Sequence, residues 1–455
     1  MFTREELDQV IKAYDIRGLV DEQITPEFAF VLGTAFARFL MEEREPATVV
    51  IGEDMRPSSD ELATAFADGL NSQGIDAIRI GLASTDMLYF ASGSLNLPGA
   101  MFTASHNPAA YNGIKLAKSA ARPVGAESGL LRIKEHMIKG IPMSPGPIGR
   151  TTVRELLGDY VNFLLGLFKA DEFSSGRRLK VVVDAGNGMA GFTAPAILAR
   201  LNVDVVPMYF ELDGNFPNHE ANPIDPKNLV DLVKRVKKEK ADIGLAFDGD
   251  ADRCFLVDEK GNLVNPSALT ALIAIRELKR KPGSTIIYNL ISSKAVPEII
   301  LENGGVPLRS RVGHSYIKKM MAENNALFGG EHSGHFYFSD FWRADSGALA
   351  ALFAIAELSH TELPLSQLLA PLNRYFSSGE INTRARDPLQ SIEFIKEAFQ
   401  KEFEIDELDG VTVTGPDWWF NVRASNTEPL LRLNVEANSQ KQLAQVKTQV
   451  LALIG

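Results

Sequence analysis

The sequence predicts an α/β protein with three similar mixed α/β domains and a smaller C-terminal α+β domain, grouped around a central cleft. Three observations lead to this fold class. The chain has 455 residues, which exceeds what one compact core usually holds. Strand-like runs rich in β-branched residues alternate with helix-length segments, and this order occurs three times. After about residue 373 the pattern changes to a helix, three strands and a terminal amphipathic helix.

In each of the three repeats, the last strand runs directly into a polar cluster. The predicted strands begin near Thr48, Gly74 and Gly99 in the first repeat, Lys180, Asn202 and Asp242 in the second, and Ser284, Gly305 and Ala326 in the third. Strands that alternate with helices form parallel βαβ units, whose ligands gather beyond the carboxyl ends of the strands. We therefore expect the three polar clusters to be active-site loops that face one cleft.

Turn-rich stretches predict where the domains meet. A Pro- and Gly-rich segment lies at 141–149, a second turn-rich segment at 259–266, and a third at 364–371. These joints divide the chain into four predicted domains, 1–150, 151–257, 258–370 and 371–455.

Composition and charge narrow the function classes. The formal net charge is -11, which disfavours a nucleic-acid or anionic-membrane surface, because such partners require clustered Lys and Arg. The one cysteine, Cys254, makes neither an internal disulfide nor a cysteine-based zinc site. Charged residues interrupt any signal-peptide pattern at the amino terminus, and no stretch reaches the roughly 18 apolar residues of a membrane span. We therefore expect a cytoplasmic protein. The sequence leaves its oligomeric state open between a monomer and a homodimer.

The second repeat ends in the motif DGDADR. Asp248, Asp250 and Asp252 recur at every second residue after an apolar strand, so that a strand-end loop could direct three hard carboxylate oxygens at one Mg²⁺ ion. Carboxylates this close repel one another unless a cation or Arg253 neutralises them. The alternative is a solvated acidic turn, and the EF-hand pattern is missing from the sequence.

The first repeat ends in the motif TASHNP. Ser105 follows a predicted strand and is a candidate nucleophile or phosphoryl carrier. Its neighbour His106 is a weak signal of activation, because adjacent side chains on a strand point to opposite faces. The alternative is an ordinary turn set by Pro108.

The third repeat ends in the motif GEHSGH. In an extended segment Glu331, Ser333 and His335 project to one side, and together they donate and accept the hydrogen bonds that vicinal sugar hydroxyls need. The alternatives are a histidine-rich metal patch and a polar turn.

The last domain contains the motif RASNTEP. It supplies the guanidinium fork of Arg423 and the polar side chains of Ser425, Asn426 and Thr427, which suit a phosphate group. The alternative is an Asx- or Ser-rich turn whose arginine packs on Trp418 or Trp419.

Two further groups are weaker candidates. Tyr14 and Arg17 lie together in KAYDIRG, and Arg311 and His314 lie near another predicted strand end. Histidine and arginine more often have structural roles than catalytic ones.

Taken in order, KAYDIRG, TASHNP with YNGIK, DGDADR, GEHSGH and RASNTEP resemble the motifs of the α-D-phosphohexomutase superfamily, in its phosphomannomutase/phosphoglucomutase branch. The resemblance implies an isomerase that moves a phosphoryl group reversibly between the 1- and 6-positions of a mannose or glucose phosphate. It implies a phosphoserine at Ser105 and a hexose 1,6-bisphosphate intermediate. It also implies one Mg²⁺ held by Asp248, Asp250, Asp252 and phosphorylated Ser105, with Arg253 as charge partner.

The same resemblance implies roles for the other motifs. Glu331, Ser333 and His335 form a sugar-binding loop, and Arg423, Ser425, Asn426 and Thr427 form a phosphate-binding loop. Arg17, Lys115 and His314 lie near the transferring phosphoryl group; Lys115 and His314 are the better base candidates, because arginine stays protonated. Tyr14 and Arg311 are candidate substrate contacts.

One departure and three alternatives remain open. Some members of the family have a cleft lysine where this chain has Ile291, with Lys294 three residues further on. The alternative activities are a phosphoglucosamine mutase, a Mg²⁺-dependent sugar phosphatase and a non-catalytic sugar-phosphate sensor.

Overall fold

The computed structural model describes residues 2–142, 144–385, 387–424 and 430–454, and it describes only the backbone of His314 and Ser315. The chain forms two compact units. The first unit comprises Met1–Val264 and Ser333–Ser366, and the second comprises Asn265–His332 and Gln367–Gly455. Each unit is therefore built from two separate stretches of chain.

The first unit begins with a seven-stranded mixed sheet. Its strands are β1 (Ile16–Leu19), β2 (Thr48–Glu53), β3 (Asp76–Leu82), β4 (Gly99–Phe102), β5 (Tyr111–Lys118), β6 (Arg122–Pro123) and β7 (Thr151–Val153), with helices α1 (Arg4–Val10), α2 (Pro26–Glu43), α3 (Ser59–Asn71), α4 (Thr85–Leu95) and α5 (Leu131–Lys139). The strand order is β1-β5-β4-β2-β3-β7, with β6 beside β5. The parallel strands β2, β3 and β4 are those that the first repeat predicts, whereas β5 is antiparallel to β4 and to β1.

The sequence of helix α2 explains where this helix begins, which face it buries and where it ends. Pro26 occupies its first turn, and the side chain of Thr25 caps it by accepting a hydrogen bond from the amide of Phe28. Phe28, Phe36 and Phe39 are buried on the core side of the helix. The helix ends at Arg44, which adopts the left-handed conformation typical of a C-terminal cap.

A four-stranded sheet follows in the same unit. It contains β8 (Leu179–Asp184), β9 (Val203–Met208), β10 (Ile243–Phe247) and β11 (Cys254–Asp258), accompanied by α6 (Leu157–Gly166), α7 (Ala190–Leu198) and α8 (Val230–Glu239). The order is β11-β10-β8-β9, with β8 parallel to β9 and β10, and β10 antiparallel to β11. The turn between β10 and β11 carries the aspartate motif.

The chain then enters the second unit and returns to the first. The second unit receives α9 (Pro266–Arg280), β12 (Thr285–Asn289), α10 (Ala295–Glu302), β13 (Val306–Ser310), α11 (His314–Glu323) and β14 (Phe328–Gly330). Strand β12 pairs in parallel with both β13 and β14. The returning stretch adds the antiparallel pair β15 (Phe336–Phe338) and β16 (Ala344–Asp345), and the buried helix α12 (Gly347–Ser359).

The C-terminal part of the second unit is a five-stranded antiparallel sheet with two packed helices. After α13 (Leu365–Leu368) come β17 (Phe376–Arg384), α14 (Pro388–Phe399), β18 (Glu404–Asp406), β19 (Val411–Thr414), β20 (Trp418–Ala424), β21 (Leu430–Ala437) and α15 (Gln440–Ile454). The strand order is β17-β21-β20-β19-β18. The sequence predicts β19, β20, β21 and both helices but neither β17 nor the three-residue β18. The side chains of β17 are exposed or half-buried and show no apolar alternation.

The predicted α/β fold class with a smaller C-terminal α+β part is confirmed. Strands are present at all nine positions that the three repeats predict, and a smaller α+β domain follows them. Within the described ranges, no helix combines the length and apolar character that a membrane span requires.

Candidate active site

Ser105 and Asp248 meet in the first unit although 143 residues separate them. Strand β4 ends at Phe102 and leads into a turn that buries Ser105. The Ser105 hydroxyl donates a hydrogen bond to Oδ2 of Asp248 at 2.8 Å. The sequence-based expectation that these two motifs lie together therefore agrees with the geometry of this unit.

The backbone of Ser105 explains the position of its neighbour. Ser105 has φ 49°, a left-handed conformation that is uncommon outside glycine, and its amide donates to Oγ1 of Thr103 at 2.9 Å. In this turn Nδ1 of His106 lies 3.2 Å from the Ser105 hydroxyl. The expectation that the two side chains point to opposite faces is wrong, because residue 105 lies in a turn and not in a strand.

The three aspartates are buried and are neutralised by two cations. Asp248, Asp250 and Asp252 expose at most 1% of their surface, so the alternative of a solvated acidic turn is wrong. Lys115 donates from Nζ to Oδ2 of both Asp250 and Asp252, each at 2.6 Å. Arg253 donates from Nε to Oδ2 of Asp248 at 2.6 Å, so that these two residues form a buried ion pair.

Arg253 also contacts the nucleophile turn. Its Nη2 donates to the Ser105 hydroxyl at 3.1 Å and approaches Nδ1 of His106. Burial and the charge of Arg253 lower the pKa of His106 well below its usual value. Both effects favour the neutral imidazole, whose Nδ1 accepts hydrogen bonds when the proton is on Nε2.

Burial and neighbouring charges also shift the pKa values of Lys115, Asp252 and Asp248. Burial opposes the charged form of Lys115, but the carboxylates of Asp250 and Asp252 raise its pKa well above the ordinary lysine value. Burial likewise opposes ionisation of Asp252, yet Lys115 and His335 lower its pKa well below the ordinary value. Burial raises the pKa of Asp248 to about 7 against the opposing charge of Arg253. A raised pKa on one carboxyl and a lowered pKa on its neighbour are typical of functional sites.

The aspartates fit a divalent cation. One carboxylate oxygen from each of Asp248, Asp250 and Asp252 lies within 4.8 Å of the others. Oδ1 of Asp250 is buried and has no hydrogen-bond donor among the described residues, and the donor nearest to the buried Oδ1 of Asp252 is Nε2 of His335 at 3.5 Å. Buried carboxylate oxygens without donors are costly unless a cation coordinates them, and oxygen ligands are those that Mg²⁺ prefers.

The sequence interpretation missed Thr85 as part of this site. Thr85 is the first residue of α4, and its hydroxyl donates to Oδ2 of Asp250 at 2.6 Å. Its amide donates to the backbone carbonyl of Asp250 at 2.9 Å. The only local signal is the helix-capping sequence Ser84-Thr85-Asp86, which does not indicate a partner 165 residues away.

Replacing Thr85 by valine should weaken divalent-cation binding. Valine keeps the shape but removes the hydrogen bond that orients Asp250, so we expect the dissociation constant for Mg²⁺ to rise about 10- to 100-fold. Calorimetric titration of the purified protein with Mg²⁺ measures this change. Thr85→Ser retains the hydroxyl and is the matched control; equal affinity in the Val and Ser variants would contradict the role of Thr85.

The predicted sugar loop differs from its expected conformation. Residues 332–334 form a turn in which Gly334 has φ +86°, so the expectation of an extended segment with three side chains on one side is wrong. A Cβ on Gly334 would lie 2.4 Å from the ring of Phe255, and the Gly334 carbonyl accepts from the amide of Cys254 at 3.3 Å. The turn is therefore set by this close approach to β11.

Ser333 and His335 lie beside the aspartates in the first unit. Nε2 of His335 is 3.5 Å from Oδ1 of Asp252 and 3.7 Å from Oδ2 of Asp345, and its Nδ1 is 3.1 Å from the Ser333 hydroxyl. Asp252, His335 and Asp345 also have the spacing of a metal-binding group. Part of the GEHSGH motif thus joins the site around Ser105.

Other predicted residues belong to the second unit. Glu331 is buried, and Nδ2 of Asn289, at the end of β12, lies 3.5 Å from its Oε2. Arg423 on β20 is buried and donates to Oε2 of Glu380 at 2.9 Å. Arg311 is exposed after β13, with its guanidinium 5.2 Å from the ring of Tyr316.

Some predictions fall outside the described residues. Ser425, Asn426 and Thr427 are not described, and neither is the side chain of His314.

In the first unit, Arg17 on β1 donates from Nη1 to Oδ1 of Asn107 at 2.5 Å, which places it against the Ser105 turn. Tyr14 is half-buried just before β1.

The chain matches four sequence families in order. They are the phosphoglucomutase/phosphomannomutase alpha/beta/alpha domains I, II and III at residues 8–140, 158–261 and 265–375, and the C-terminal domain at residues 380–453. The predicted domain limits given above stay a prediction.

Full-length relatives agree with this match. A phosphomannomutase of Escherichia coli K12 is 37% identical over 450 residues, which cover 97% of this chain and 97% of that protein. A Xanthomonas campestris protein named phosphohexose mutases is 36% identical and covers 97% of this chain and 98% of its own length. The crystal structure of a phosphoglucomutase/phosphomannomutase family protein from Burkholderia thailandensis has a TM-score of 0.90 at 31% identity, covering 100% of this chain and 97% of that one. The resemblance in the motifs is thereby confirmed: the chain belongs to the phosphoglucomutase/phosphomannomutase family of the α-D-phosphohexomutase superfamily, and it is an isomerase of the phosphohexomutase class.

Proposed function

We propose that the enzyme moves a phosphoryl group reversibly between the 1- and 6-positions of a mannose or glucose phosphate, by way of a phosphoserine at Ser105 and a hexose 1,6-bisphosphate. The observation that carries this proposal is the 2.8 Å hydrogen bond between the Ser105 hydroxyl and Asp248, within a buried group of three carboxylates. The relatives named phosphomannomutase and phosphohexose mutases support a hexose phosphate as substrate.

In the proposed reaction phosphorylated Ser105 transfers its phosphoryl group to the free hydroxyl of a hexose monophosphate. The seryl oxygen leaves, the sugar oxygen gains the P–O bond, and the sugar hydroxyl proton passes to a base. The 1,6-bisphosphate then reorients, and its other phosphoryl group passes to the Ser105 oxygen, while the sugar oxygen that it leaves takes the proton back from the base. The enzyme ends as it began, so that no water and no second co-substrate is consumed.

The neighbouring residues supply charge and proton transfer. Of the two base candidates, Lys115 and His314, we favour His314, because the carboxylates of Asp250 and Asp252 keep Lys115 protonated. Lys115 and Arg17 then stabilise the charge on the transferring group. Arg253, 3.1 Å from the Ser105 hydroxyl, stabilises the same charge. A divalent cation held by Asp248, Asp250 and Asp252, which we propose is Mg²⁺, would withdraw electron density from the phosphoryl oxygens.

Two further groups bind the rest of the substrate in this proposal. Glu331, Ser333 and His335 hydrogen-bond sugar hydroxyls, which require both donors and acceptors. Arg423 with Ser425, Asn426 and Thr427 binds the phosphate group that is not reacting.

The proposal is tested by priming and substrate assays on the purified protein. We expect hexose 1,6-bisphosphate to add one phosphoryl group to the protein mass and to start turnover. Gluco-, manno- and glucosamine phosphates are assayed side by side, and preference for glucosamine phosphate would favour the phosphoglucosamine mutase alternative. Release of inorganic phosphate without bisphosphate dependence would indicate a phosphatase. Binding without turnover or phosphorylation would indicate a sensor.

Replacing Arg423 by alanine should weaken the binding of both phosphosugar isomers. Hydrogen bonds to a charged group contribute about 1.5–3 kcal/mol each, so we expect the dissociation constants for the 1- and the 6-phosphate to rise about 10- to 100-fold. Equilibrium binding of each isomer measures the change. Arg423→Lys keeps the charge without the planar fork and should give an intermediate loss; unchanged affinity in the alanine variant would refute the phosphate-binding role.

A further inference from the structure

The guanidinium of Arg56, which follows β2, is completely enclosed by the turn that carries Ser105. The side chain has 0% exposure, and its three nitrogen atoms make five hydrogen bonds. Nε donates to Oδ2 of Asp54 at 3.2 Å, Nη1 to the carbonyls of Pro108 and Tyr111 at 2.9 Å each, and Nη2 to the carbonyls of Ser105 at 3.0 Å and Asn107 at 2.7 Å. The number of bonds equals the number of N–H donors of a guanidinium.

Asp54 and Phe216 fix the position of the Arg56 guanidinium. Asp54 is also fully enclosed; its Oδ1 accepts from the amide of Arg56 at 3.0 Å and from the Ser59 hydroxyl at 2.6 Å. The ring of Phe216 covers one face of the guanidinium at 5.1 Å. A lysine at this position would offer three donors from one point, and it could not reach four carbonyls in a planar arrangement.

Arg56 binds a turn whose backbone conformation is unfavourable by itself. Ser105 adopts φ 49°, which costs a non-glycine residue energy and persists only where surrounding contacts impose it. The carbonyl that Arg56 binds at Ser105 belongs to the residue whose hydroxyl points at Asp248. Of the three other carbonyls, two belong to the same turn and one to Tyr111, the first residue of β5, so one side chain contacts the backbone on both sides of His106.

We infer that Arg56 is a positioning residue for phosphoryl transfer: it keeps the 105–111 turn in the one conformation that directs the Ser105 hydroxyl toward the aspartates. The inference rests on the proposed function of Ser105 as the phosphoryl carrier. Arg56 itself is enclosed and does not contact the substrate. It acts on the rate at which Ser105 gives and receives the phosphoryl group, and not on the affinity for the sugar phosphate.

The variant Arg56→Lys tests this role. Misplacement of a reacting group by about 1 Å costs on the order of 100-fold in rate, so we expect kcat and the single-turnover rate of Ser105 phosphorylation by glucose 1,6-bisphosphate to fall about 100-fold, with KM changed less than about threefold. Protein mass spectrometry follows the phosphorylation. Hydrogen–deuterium exchange of the peptide covering 103–113 should become faster.

Arg79→Lys is the matched control. Arg79 lies on β3 of the same sheet and donates to Thr64, Glu53 and Asp60, none of which belongs to the Ser105 turn. We expect its turnover, phosphorylation rate and exchange pattern to match those of the unmodified protein. A loss of activity in both variants would show a general effect of removing an arginine from this domain and would overturn the assignment.

A second variant keeps the test valid if Arg56→Lys does not fold. Thr103→Val removes the acceptor of the Ser105 amide at the other end of the turn, and it should also slow phosphorylation with little change in KM. If the unmodified protein takes up no phosphoryl group, the proposed function fails. If it does, and the folded variants phosphorylate at the unmodified rate, or show raised KM with unchanged kcat, the inference about Arg56 fails alone.

Discussion

Replacing Ser105 by alanine should reduce kcat for hexose phosphate isomerisation by on the order of 10⁴-fold or more, because loss of a nucleophile removes the covalent route altogether. The Ser105 hydroxyl is the group that lies 2.8 Å from Asp248, and alanine has no oxygen to carry the phosphoryl group. Coupled assays of 1-phosphate to 6-phosphate conversion measure the activity. Intact-mass analysis should show no phosphoryl uptake from the bisphosphate.

The same variant contains its own control. The aspartates and the Arg423 region are unaltered, so the Ser105→Ala protein should still bind hexose phosphates within about threefold of the original affinity. Normal turnover by this variant, or phosphorylation at another residue with activity retained, would remove Ser105 from the mechanism.

Replacing Gly249 by alanine should separate the two halves of the active site. A Cβ at this position would lie 2.3 Å from the carbonyl oxygen of Ser105, far inside contact distance. That oxygen accepts a hydrogen bond from the enclosed Arg56, so the turn cannot move away without breaking the fork. We expect a stability loss of about 1–3 kcal/mol from overpacking, and a fall in kcat of roughly 100-fold or more from misplacement of the reacting groups.

Urea denaturation, Mg²⁺ titration and the rate of Ser105 phosphorylation measure the effects of Gly249→Ala. The matched control is Gly158→Ala in α6, where an added Cβ meets no atom within 4 Å. This control should be neutral or stabilising by up to about 1 kcal/mol, because alanine favours a helix over glycine. Full activity in Gly249→Ala would show that the close approach of the two turns is not required for transfer.

The strands were predictable where local pattern and burial agree. β2, β8 and β10 are apolar runs that end in polar turns, and all three occur where the sequence predicts them. Strand β17 was not predictable, because its residues are exposed or half-buried and its place is set by pairing with β21, which lies far along the chain.

The residues of the candidate site were likewise only partly predictable from the sequence. The three aspartates were recognisable as a candidate cation site from their residue type and spacing, whereas Ser105 was singled out by the resemblance of its motif to those of the family. Thr85 and Arg56 were not recognisable, because their partners lie 165 and about 50 residues away and include backbone carbonyls, which leave no trace in the sequence.

The sequence by itself determined the strand pattern of the three repeats and the family, and it indicated the candidate reactive groups, because these depend on residue type and short-range spacing. The tertiary structure alone decided the orientation of those side chains. Ser105 and His106 face each other because the backbone turns at residue 105, and the 332–334 segment turns because Gly334 approaches Phe255. Orientation in a turn depends on backbone angles that long-range hydrogen bonds and close packing impose, and neither can be read from neighbouring residues.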